Sequence, residues 1–406
     1  MSDILSQGGE PGPRRKWPRW IAAAVVAALL VLVLVEHLPQ HAAPRRHPAA
    51  RGSLPAVGGI VAGENGESGP GGGEAGPDGV AGPTLPWSSG LRLPVAGPQP
   101  AWIWPATGRT QPIGGLPRDP AGYQFVRAAG GWAVTAGPEG GQCGSCAGVP
   151  GPVYFLGDQA GVAAPIGQAS VVAPAAARGA VWLTSYLPGA DPGTSSATAR
   201  QVSGTGRQIG PRITLPAGYL IIRGTVRGLL LAPVRPRANL TADRLWSPAA
   251  PRGSRDFPQV IAAGPGEIAW NQRCSPRCRI QVLNLATGRA ARVVLPAGTS
   301  AAGGSFSPDG RLLALQVSSG PGGNGGGLAM QLAVAAAASG RLTLVPGTWV
   351  SSDALAGFGW PASGDRLVAE LSFTTKRQLA AWRPGAARLA VATVTPGQRL
   401  SSLVVG

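Results

Sequence analysis

Four cysteines fall in two close pairs, Cys143 and Cys146 in "QCGSCAG" and Cys274 and Cys278 in "RCSPRCR". Such pairs can hold a four-thiolate zinc ion, cycle between thiol and disulfide, or close as local staples. Histidine narrows the chemistry further. It occurs only at His37, His41 and His47, so the rest of the chain has no imidazole to act as base or metal ligand. Ser-His-Asp and Cys-His catalysis are therefore excluded beyond that point. Carboxylates remain, among them Asp158, Glu267, Asp309, Asp365 and Glu370. A paired-carboxylate hydrolase needs two of them flanking one bond. Asp309 and Asp365, however, sit in Gly-rich turns, where Asp commonly bonds the local backbone.

The elements that position these residues follow from composition. Of 406 residues, 63 are Gly and 41 Pro, yet 44% are hydrophobic and only 13% charged. Too apolar for wholesale disorder and too poor in helix-forming charges for long helices, the chain reads as many short strands joined by turns. The net charge is +17, nearly all from Arg. Residues 1–86 carry seven basic and seven acidic side chains, so the whole surplus belongs to residues 87–406. Such a surplus is either spread over a solvated surface or set to attract an anionic envelope polymer or headgroup.

Near the N-terminus, Arg14, Arg15, Lys16 and Arg19 precede 16 uncharged residues, Trp20 to Val35. As a helix they rise about 24 Å, and flanking Trp and Leu residues extend the segment towards a hydrocarbon core of roughly 30 Å. The region after it, "EHLPQHAAPRRH", lacks a good small-x-small cleavage site. The expectation is a cytoplasmic tail at 1–16, an uncleaved transmembrane signal anchor at 17–38 and a Gly/Pro-rich flexible linker at 39–86. The positive flank places the N-terminus inside and residues 87–406 outside the cytoplasmic membrane.

Within 87–406 a hairpin recurs. "GGSFSPDGRLLALQV" at 303–317 has an aromatic, a tight turn and an apolar strand, and "AGFGWPASGDRLVAEL" at 356–371 follows the same plan. Looser copies put the centres of the second strands near Trp132, Trp182, Leu230, Ala269, Leu313 and Val368, at intervals of 39 to 55 residues. Between them lies a second hairpin, often turning on Gly-Arg, as in "CRIQVLNLATGRAARVVLP". Two hairpins in every 45 or so residues make a four-stranded propeller blade. Seven outer hairpins stand against six inner ones. The odd one, at 101–113, combines with a strand near "SGLRLPV" and the C-terminal "QRLSSLVVG" into a seventh blade that closes the ring. The fold class is all-β, a seven-bladed β-propeller of four-stranded antiparallel blades behind one transmembrane helix.

"FSPDGRLLAL", Phe306 to Leu315, resembles the WD40-like repeat of TolB-like propellers. Trp360 to Leu371 matches it in part and the other blades in rhythm only. The resemblance implies an extracytoplasmic propeller, of the membrane-anchored actinobacterial type.

The repeat puts both cysteine pairs in second-to-third strand connections of the first and fourth blades, across the ring from each other. One metal cannot reach both, so local disulfides Cys143–Cys146 and Cys274–Cys278 are the expectation in an oxidising compartment; a redox pair is the alternative. Of the ten Trp residues beyond residue 86, most sit on strands and pack between blades, with Trp87 and Trp349 on loops as candidate sugar platforms. No catalytic residue, cofactor or metal is expected. The functional expectation is a non-catalytic binding or scaffold module, with an envelope protein or anionic cell-wall polymer as partner and no nucleic acid. Its binding face is placed on the second-to-third strand connections. The alternative is a carboxylate-dependent propeller glycosidase or lyase acting on envelope glycans.

Overall fold

In the computed structural model, residues 84–87, 90–96, 99–117, 123–136, 149–234, 241–272, 277–319, 329–348, 350–351, 355–372 and 377–394 are described. They form seven sheets, antiparallel throughout except for one parallel strand added at the edge of one of them. Blade 1 runs from Tyr123–Ala128 through Gly131–Ala136 and Gly151–Gly157 to Ala164–Ala169, and blade 2 from Val171–Pro174 to Gln208–Thr214. Blades 3, 4 and 5 begin at Tyr219–Thr225, Val260–Ala263 and Thr299–Phe306. Blade 6 comprises Leu355–Gly359, Leu367–Ser372, Arg377–Trp382 and Ala390–Val394. Blade 7 holds Leu93–Val95, Ala101–Trp104 and Arg109–Pro112. All six inner hairpins read from the sequence are present at their expected positions.

Period-two side-chain alternation explains why each sheet must have neighbours. In blade 1, Trp132 and Val134 face blade 7 while Ala133 between them faces blade 2. In blade 5, Leu313 and Leu315 pack against blade 4 and Ala314 against blade 6. Each blade is apolar on both faces and hides neither alone. Seven apolar clusters result, one between each pair of adjacent blades, including one joining blade 6 to blade 7. The ring is closed.

Closure differs in detail from the sequence expectation. Leu85–Pro86, placed by sequence in the linker, lies parallel to Ala390 and Val391 on the outer edge of blade 6, and the Leu85 amide donates to the Leu389 carbonyl at 2.7 Å. Trp87 then enters the cluster between blades 6 and 7 at 6% exposure. So Trp87 is a packing residue rather than a sugar platform: its indole is spent on the seam. Residues 398–406, expected as the inner strand of blade 7, lie outside the described residues. Blade 7 shows three strands among the described residues, with Leu93–Val95 innermost.

Residues 1–83, with the expected tail, anchor and nearly all of the linker, also lie outside the described residues. Among the described residues no helix is long and apolar enough to cross a membrane.

Candidate functional site

Antiparallel order puts the first-to-second and third-to-fourth turns of every blade on one face of the ring and the second-to-third connections on the other. Of the four cysteines, Cys278 is described, and it belongs to the second face. Cys143, Cys146 and Cys274 lie outside the described residues; Cys278 packs against the apolar cluster between blades 4 and 5 and is not a free thiol. The Gly-rich connection 320–328 and Trp349 are likewise outside.

A cavity of about 270 Å³ opens on the other face, at the mouth of the central channel. It lies opposite the expected binding face, because the short turns around the axis leave the converging inner strands uncovered. Its walls include Pro308 and Pro361 from the turns of blades 5 and 6, and Arg178 from the turn of blade 2. The Ser-Pro-Asp-Gly turn owes its shape to local bonds. The Ser307 hydroxyl donates to Asp309 Oδ1 at 2.7 Å and the Arg311 amide to the same oxygen at 3.1 Å. Asp309 is therefore a turn residue, as its position in the sequence suggests. Asp365 is held the same way by Ser363 and by Arg366, whose side-chain hydrogen bond brings its carboxyl down to about 2.

Two arginines enter the mouth from inner strands. Arg127 of blade 1 forks onto Asp158, with Nη2 to Oδ2 at 3.3 Å and Nη1 on Oδ1. It also lies 4.7 Å over the Trp132 ring and donates to the Gly131 carbonyl at 3.1 Å. Arg223 of blade 3 is different. At 8% exposure it has no ion pair or hydrogen-bond acceptor among the described residues, and its Nε is buried without a partner. Burial pulls its guanidinium down to about 10, which leaves it cationic at neutral pH.

A second cavity of about 280 Å³ adjoins the first, and Arg127, Trp132 and Asp158 line both. Arg92 stands in it 4.2 Å over Trp102, and donates to the carbonyls of Asp158 at 3.0 Å and Ala160 at 3.3 Å. Burial lowers the Arg92 pKa, and the nearby Asp158 charge partly offsets this. Trp102, 1% exposed, donates from Nε1 to Ala160 at 2.9 Å and so fastens blade 7 to blade 1.

Among the described residues, the mouth thus carries three arginines, Arg127, Arg178 and Arg223, against one carboxylate, Asp158. Of the carboxylates singled out by sequence, only Asp158 reaches it. Glu267 is turned to the seam between blades 4 and 5, where burial first, and Asp309 second, push its carboxyl up. Glu370 is pushed up to about 7 by burial, opposed by Arg377, and lines neither cavity. Among the described residues no group of three or more His, Cys, Asp or Glu is placed to hold a metal ion.

Sequence reading treated the arginines as one undivided surplus and missed Arg127 and Arg223. The usable signal was a lone cation inside an apolar inner strand, in "YQFVRA" and "YLIIRGT".

The fold is a seven-bladed β-propeller. No protein-family model and no curated protein matches the chain. Among solved structures it is similar to a prolyl endopeptidase, at 13% identity and a TM-score of 0.50 over 77% of this chain and 50% of that one. It is also similar to TolB from Acinetobacter baumannii, at 10% identity and a TM-score of 0.40 over 76% and 64%. The β-propeller domain of the Trilobed protease from Pyrococcus furiosus is similar at 9% identity and a TM-score of 0.44 over 73% and 89%. The chain spans less than two thirds of the first two, and at these identities the likeness is one of fold.

Proposed function

We propose that this chain is a non-catalytic binding or scaffold module, held outside the cytoplasmic membrane by residues 17–38, that docks an anionic cell-wall component at the mouth of its propeller. The observation that carries the reading is the charge of that mouth, with two arginines in excess of carboxylates among the described residues at a concave, partly apolar site. Anionic polymers are attracted to such a surface in a salt-dependent way. An envelope protein with an acidic docking segment fits the same field.

The hydrolase reading is less well supported. A glycosidase working through two carboxylates needs both at one bond, and among the described residues Asp158 is the single acidic residue lining the mouth, already held by Arg127. The test is co-sedimentation of the full chain with purified anionic wall polymer across a salt series. Retention that falls with salt and with Arg178→Glu supports the reading. Retention unchanged by either, or turnover of envelope glycans, overturns it.

A further inference from the structure

Arg127 and Arg223 occupy equivalent places in the repeat. Each follows a buried tyrosine by four residues on an inner strand, Tyr123 in blade 1 and Tyr219 in blade 3. Each also pairs across the strand with the residue at the repeat centre, Trp132 and Leu230. Their surroundings differ at one point. In blade 1 the turn from third to fourth strand supplies Asp158, which takes the Arg127 fork. In blade 3 the corresponding connection leaves Trp246 as "SPAAPRGS" and supplies no carboxylate. Arg223 keeps the fork without the acid, more than nine-tenths buried and lining the cavity.

A buried guanidinium with no counter-charge is costly unless something completes it. The Arg223 Nε is shut off from solvent and has no partner, and the terminal nitrogens of its fork stand beside the cavity that the residue lines. We infer that the channel mouth holds an oxyanion site in which Arg223 receives a phosphate group of the ligand in the place that Asp158 takes on Arg127. A planar guanidinium binds phosphate through two parallel N–H donors. Arg178 lines the same cavity with no ion pair among the described residues, and matches the second negative charge of a phosphomonoester. The inference rests on the proposed docking role only for the identity of the larger molecule that bears the phosphate.

The experiment titrates the full chain with inorganic phosphate, followed by calorimetry. Wild type is expected to bind saturably, and Arg223→Met to bind about tenfold more weakly or not at all. Arg223→Lys keeps the charge without the fork and should fall between. Arg227→Met is the control: Arg227 is spent on the carbonyls of Leu285 and Ala286 at 3.0 and 3.3 Å, so phosphate affinity should be unchanged. Thermal melts separate ligand binding from a structural role. Removing an unpaired buried charge leaves the midpoint the same or higher, whereas a structural arginine lowers it. Competition by glycerol phosphate assigns a polymer terminus as the source, and competition by dimethyl phosphate an internal diester. Absence of saturable phosphate binding, equal affinity in Arg223→Met, or a lowered melt in that variant overturns the inference. Polymer retention without phosphate binding would leave the docking role standing; phosphate binding without polymer retention would do the reverse.

Discussion

Gly310, at the end of the Ser-Pro-Asp-Gly turn of blade 5, sits directly on the carboxylate of Glu267 from blade 4. Its φ is +70°, and a β-carbon there would collide with Glu267. The same row of turns continues round the mouth, where Pro308 lies 3.2 Å from the place a β-carbon would take at Gly364 of blade 6.

Gly310→Ala should therefore destabilise the ring by more than the ~1–2 kcal/mol that a left-handed backbone alone costs a non-glycine residue. Denaturant unfolding measures it. Because the collision is with the end of a flexible side chain, adding Glu267→Ala should recover part of the loss, and a double-mutant cycle should show coupling. Additive effects would mean that the two residues do not meet.

Glu370 gives the protein a pH-dependent stability. Burial raises its carboxyl from 4.5 to about 7, against the pull of Arg377, which lies 3.5 Å away. The folded chain then keeps a proton that the unfolded chain releases. This contribution is complete below pH 4.5 and is lost as the pH rises to 7. Its size is on the order of 3 kcal/mol. Glu370→Gln should remove the dependence, so wild type and variant should diverge in midpoint as the pH rises across that window. Parallel curves would refute the assignment.

The N-terminal clasp can be tested at Trp87. Truncating a buried Trp typically costs about 3–5 kcal/mol, and Trp87 lies in the seam between blades 6 and 7. Trp87→Ala should lower the melting midpoint. Hydrogen exchange should also speed up in Ala390–Val394, the edge strand that Leu85–Pro86 covers. A lower midpoint with unchanged exchange there would show that the strand pairing contributes nothing to closure.

Leu313 is fully buried on the second strand of blade 5, whereas Val294 is 45% exposed at the edge of blade 4. Leu313→Ala should cost about 2–5 kcal/mol and Val294→Ala within about 0.5 kcal/mol. Equal costs, read by the same unfolding curves, would contradict the packing of blades through their inner strands.

Much of this architecture was legible in the chain itself. Alternation with period two, the glycine at each tight turn and the spacing of the second-strand centres are properties of a few adjacent residues, so they announced six inner hairpins, seven outer ones and a ring. The turn roles of Asp309 and Asp365 were legible for the same reason. Closure by Leu85–Pro86 was not, since a two-residue strand that includes a proline carries no periodicity and meets its partner only across the completed ring. Nor was the difference between Arg127 and Arg223. Both read as a cation in an apolar strand, and only the folded blade brings Asp158, 31 residues further along, to one of them and no acid to the other. Local backbone preference is written residue by residue, but the field at the channel mouth is a sum over blades that the sequence keeps apart.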